Sequence, residues 1–98
     1  MKLIEAVIQQ LKLQDVRNAL DEMGIDDFME SSITCHQKGQ IMIFRGASFV
    51  ANIVDKVKLE IIAADDAVGG IIETIGSLAR TGRKEDCRIN IRPYLEAT

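Results

Sequence analysis

The chain has 98 residues and a formal net charge of −3 at neutral pH, with an isoelectric point near 5.1. Hydrophobic residues at 47% and charged residues at 28% exclude a disordered tail, a collagen-like repeat and a disulfide miniprotein, and the acidity argues against nucleic acid or an anionic membrane as partner. Aromatics are only 4% and Trp is absent, so the expected core is Ile, Val, Leu, Met and Ala, thin enough that oligomerisation is its natural supplement.

Lys2 to Gln9 is apolar and β-branched with one embedded Glu, the pattern of a largely buried strand. An acid so close to the start predicts no secretory leader, and no apolar run approaches the ~20 residues of a membrane-spanning helix. From Lys12, Leu13, Val16, Ala19, Leu20 and Met23 form one helical stripe, closed by Gly24 where a residue tolerant of positive φ is needed. Ile25 to Phe28 reads as a short turn and Met29 to Thr34 as a second strand. Cys35 to Asp55 is then a connection of unusual length, suited to a mobile ligand loop or to an extended β-hairpin arm packing on a neighbouring subunit. Lys58 to Ala64 is again an apolar strand with one Glu. Asp65 or Asp66 is placed to cap a helix running through Ala67, Val68, Ile71, Ile72, Ile75 and Leu78. That helix is expected to end near Ala79–Gly82, and Arg88 to Arg92 alternates as a last strand. Strand–helix–strand twice over predicts an α+β, ferredoxin-like βαββαβ domain spanning residues 1–98, with both helices on one face of an antiparallel sheet. The other face then needs cover, which points to a trimer or a similar assembly.

Residues able to do covalent chemistry are scarce. The chain holds no nucleophile elbow, P-loop or HExxH motif, and His36 is its single histidine. Cys35 and Cys87 are lone thiols without metal-ligand spacing, as in a reduced, cytoplasmic protein. These absences argue against an enzyme. The segment Arg80-Thr81-Gly82-Arg83-Lys84-Glu85-Asp86-Cys87-Arg88 is a better candidate site. Four cations around a flexible Gly suit a phosphate cradle. The two acids suit a solvated charged turn instead, with Asp86 also able to orient an arginine or a ribose.

Taken in order, these motifs resemble the PII signal-transduction proteins. Lys2-Leu3-Ile4-Glu5-Ala6-Val7-Ile8, the Leu11-to-Leu20 stripe and Gly24-Ile25 are similar to the family's first strand and helix. Gln37-Lys38-Gly39 and Phe44-Arg45-Gly46-Ala47-Ser48-Phe49 are similar to its long T-loop, and Lys56-Val57-Lys58-Leu59-Glu60-Ile61 to its third strand. Ala79-Arg80-Thr81-Gly82 with Asp86 and Arg88 resembles its nucleotide-binding B-loop, and the likeness runs to about residue 92. The resemblance implies a homotrimer binding adenine nucleotide between subunits, with Arg80 to Arg88 around the phosphates and Glu60 and Ile62 near base and ribose. It implies a small-anion effector at Gln37, Gly39 and Lys56. It also implies a loop, bearing Ile41, Phe44, Arg45 and Phe49, that docks on a transporter or enzyme.

Departures from the family pattern refine these expectations. Glu85 and Cys87 stand where the family has glycines, and no C-terminal arginine pair follows, so ADP or AMP is expected ahead of ATP. Thr34, Cys35 and His36 replace the glycines that precede the Gln-Lys-Gly segment, which argues against magnesium-bound 2-oxoglutarate. Phe44 and Phe49 replace both loop tyrosines and exclude uridylylation there. The partial signature resembles PII-like branches, including carboxysome-associated members that respond to bicarbonate and others tied to nitrogen or metal transport. A structural or adaptor trimer with a decayed nucleotide cleft is the alternative.

Overall fold

Strand β1 (Lys2–Gln9) occupies the middle of the sheet because every second residue can be buried: Ile4, Ala6 and Ile8 are fully enclosed. The computed structural model describes residues 1–97, with side-chain surroundings for all of these except residues 37–42, 44 and 49–52. After a 3-10 turn at Gln10–Lys12, helix α1 (Leu13–Glu22) buries Val16 and Leu20. Met23, expected on the buried stripe, is instead 42% exposed, because it lies beyond the last helical turn. Gly24 takes φ +78°. Its N–H donates to the Asp21 carbonyl and that of Ile25 to Leu20, each at 2.9 Å, which closes the helix as a Schellman motif.

Strands β2 (Met29–Phe44) and β3 (Ala47–Ala63) run far beyond the bounds expected from sequence. The segment 35–55 is thus paired as an extended hairpin. Arg45 and Gly46 join the strands with φ +52° and +78°, a two-residue turn whose twist suits a hairpin. The pairing shifts register between His36 and Gln40. Only Lys56–Ala63 of β3 also pairs with β1, so the rest of the hairpin projects and stretches the molecule to 50 Å, against 27 and 20 Å in the other directions.

Neither Asp65 nor Asp66 caps the second helix with its side chain. Both lie in a 3-10 turn (Asp65–Ala67) whose N-cap is Ala64, and Asp65 pairs with the N-terminal amine at 3.1 Å. Helix α2 (Val68–Ala79) buries Val68, Ile71, Ile75, Gly76 and Ala79. Strand β4 (Cys87–Pro93) follows a further 3-10 turn, Lys84–Asp86. The sheet order is β2-β3-β1-β4, every pair antiparallel, as the ferredoxin-like expectation requires. Leu59, Ile61 and Ala63 join the β1 residues against both helices to form the core.

The opposite sheet face carries Leu3, Glu5 and Val7 from β1, Lys56, Lys58 and Glu60 from β3, and Arg88, Asn90 and Arg92 from β4. Glu5 sits at its centre, with Lys58 Nζ 3.1 Å from its carboxylate. Arg92 meets the other carboxylate oxygen as an ion pair without a well-directed hydrogen bond. The Lys58 hydrogen bond holds the Glu5 carboxyl below its usual range, with Arg92 adding to the effect. No described helix is long and apolar enough to cross a membrane.

Candidate functional site

The basic turn is built where α2 stops. Arg80 leaves the helix in extended conformation, its N–H still donating to the Gly76 carbonyl at 3.0 Å. A Cβ at Gly76 would stand 3.0 to 3.2 Å from three atoms of the Arg80 guanidinium, so the glycine makes the seat on which that cation lies.

Thr81 then organises the loop. Its hydroxyl donates to Asp86 Oδ2 at 2.5 Å and accepts the Arg83 N–H at 3.1 Å. Asp86 is only 5% exposed, and its N–H donates to the Arg83 carbonyl at 3.2 Å. The carboxylate thus clamps the turn through Thr81, rather than holding an arginine as the sequence suggested. Glu85 is held twice. Its carbonyl accepts a hydrogen bond from Lys56 Nζ, and its carboxylate receives Arg83 Nε and Nη2 at 3.2 and 3.0 Å. Its carboxyl is held below the usual range, first by its own backbone N–H and then by Arg83.

The outcome is a shallow cleft of about 260 Å³ lined by Arg80, Thr81, Gly82, Arg83, Lys84 and Cys87. Three of its six wall residues are cations and none is an acid, because Asp86 and Glu85 are both turned into the loop's own bonds. Burial pushes the Cys87 thiol up, against the pull of Arg80 and Lys56. Preorganised cations with no acidic wall can hold a phosphate-bearing anion.

Two further hollows take the remaining candidates. Arg88, expected beside the other three cations, instead shares a hollow of about 150 Å³ with Lys56, His36, Cys35, Val7 and Ile33. Strand alternation explains this: Cys87 points to the helices and Arg88 to the other face. Lys56 is 2% exposed on that face. Glu60 and Ile62 line a third cleft, about 380 Å³, with Met1, Asp27, Phe28, Met29 and Glu96. Within one protomer they are not brought to the basic turn.

Sequence reasoning had no signal for Asp27, Phe28 and Glu96 meeting there, because chain ends and turns carry no periodicity. The two thiols line different hollows on strands separated by β3 and β1, and both are free. The described residues contain no cluster of three or more metal-ligating side chains. The surroundings of Gln37, Gly39, Ile41, Phe44 and Phe49 lie outside what the structure describes, while Arg45 is exposed at the arm's turn.

Comparison with known proteins agrees with this architecture. Residues 1–94 match the family model described as nitrogen regulatory protein P-II. A nitrogen regulatory protein P-II of Mesorhizobium japonicum is 43% identical over 91 residues, covering 91% of this chain and 81% of the relative. One from Azospirillum brasilense is 40% identical, covering 98% and 88%. Nitrogen regulatory protein P-II 1 of Escherichia coli K12 is 40% identical, covering 91% and 81%.

Proposed function

The chain belongs to the P-II family, whose members are regulatory signal transducers rather than enzymes, and we propose that this one is a homotrimer that responds to adenine nucleotide. The acid-free cleft with Arg80, Arg83 and Lys84 on its walls is the observation that carries the reading. It suits the phosphates. The apolar and acidic cleft at Glu60 and Ile62 suits the base and ribose, whose N–H and O–H groups donate to carboxylates. Since one protomer keeps the two apart, a single ligand uses both when the cleft of one protomer faces that of its neighbour. The sheet face with Leu3, Val7 and Ile62 between charged pairs offers the surface for that association.

A small anion is the second effector in this reading. The hollow with Lys56 and Arg88 has two cations within reach of one ligand, and bicarbonate fits its small volume better than a dicarboxylate does. The projecting arm delivers the signal. Ile43 and Ile53 are 77% and 57% exposed on it, apolar surface suited to docking on a transporter or enzyme in the cytoplasm. Carboxysome association belongs to the same reading.

Calorimetric titration with AMP, ADP and ATP, with and without bicarbonate, tests it, alongside mass measurement by light scattering. ADP at about 100 times its Kd stabilises the fold by about 2.7 kcal/mol and raises Tm by several degrees. No heat and no thermal shift with any adenine nucleotide leaves the adaptor trimer, which the exposed arm residues favour. A strictly monomeric protein ends both.

A further inference from the structure

We propose that Glu85 is a resident counter-anion of the basic cleft and determines how much ligand charge the cleft accepts. The inference rests on the nucleotide reading above and adds a specificity-determining residue to it. Arg83 is a wall of the cleft, yet two of its donors are directed at one oxygen of Glu85, at 3.2 and 3.0 Å. The main chain that carries this acid is held in place by the ammonium of buried Lys56, which donates to the Glu85 carbonyl. Asp86, the other acid of the turn, is already committed to Thr81 and is nearly enclosed. Glu85 is therefore the acid of this turn whose charge acts on an incoming ligand.

The Arg83–Glu85 pair is only half-buried, its side chains 49% and 36% exposed, and such pairs hold weakly. An incoming phosphate can take Arg83 from the carboxylate. The carboxylate, its main chain held by Lys56, then stays within side-chain reach of the ligand, and its repulsion grows with ligand charge. AMP is penalised least and ATP most. A neutral amide at this position keeps an acceptor for the guanidinium and removes only the charge.

Calorimetric titration of the full chain with AMP, ADP and ATP in magnesium-free buffer at fixed ionic strength tests this. Glu85→Gln is expected to bind ATP about tenfold tighter, ADP about threefold tighter and AMP least changed, at unaltered Tm. Glu85→Asp, which keeps the charge, should preserve the selectivity of the unaltered protein, and Glu85→Gly should match the amide. Equal gains for all three nucleotides, no gain, or weaker binding by Glu85→Gln overturns the inference while the nucleotide reading stands. Absence of binding by every variant and by the unaltered protein overturns both.

Discussion

The two faces of the sheet are made from the same strands, and neighbouring residues on one strand meet opposite fates. Leu59 and Ile61 are sealed beneath the helices, while Lys58 and Glu60 between and beside them face the other way. The centre of the covered face is apolar, with Glu30 at its β2 edge paired to Arg17 of α1, so most of its energy comes from area removed from water and needs no partner molecule. The second face interleaves Leu3, Val7 and Ile62 with the Glu5–Lys58–Arg92 group, whose charges are satisfied only by reaching across strands. A face of mixed apolar and paired ionic groups is suited to association and to ligands, whereas an apolar face sealed by helices has only packing to do.

Substitutions on each side test this contrast. Leu59→Ala on the covered face should cost about 2–5 kcal/mol in urea unfolding, since a fully enclosed side chain leaves a cavity the helices cannot fill. Lys56→Met tests the open-face residue that is buried among the described residues. It leaves the Glu85 carbonyl without its donor and should cost about 1–2 kcal/mol, with faster amide exchange across residues 84–86.

Glu5→Gln should cost less, and its effect should depend on pH. The folded carboxyl titrates below its ordinary value, so its contribution is complete above about pH 4.3 and disappears as pH falls through the lower folded value. Stability curves of the two proteins should therefore converge in acid. A constant gap down to the lowest pH would show that Glu5 acts by packing alone. Smallest of all, Ile43→Ser on the arm should change stability by less than about 0.5 kcal/mol, because that side chain is 77% exposed. A larger loss would show that the arm is part of the folding unit.

Much of the fold was legible because its signals are local. The Gly24 helix end, the alternation of β1 and the α2 stripe each follow from residues within a few positions of one another. The hairpin arm was half legible: Arg45-Gly46 is a turn signal, but the polar Gln37–Gln40 stretch interrupts the alternation that marks a strand. Of the candidate site, the basic turn was found by its charge density. That Asp86 is committed to Thr81 and Glu85 to Arg83 could not be read from their spacing.

The amino-acid order by itself determined the buried faces of β1 and α2 and most of that of α1, since periodicity and turn chemistry act over a few residues, but it placed Met23 inside and gave no sign that Lys56 is buried. Tertiary structure alone decided that Lys56 tethers Glu85 across 29 positions, that Arg88 joins Lys56 rather than Arg83, and that Glu60 and Ile62 lie in a cleft of their own. Those relations depend on strand order and on the alternation of strand faces. The alternation is local, but strand order is not expressed in any local stretch of chain.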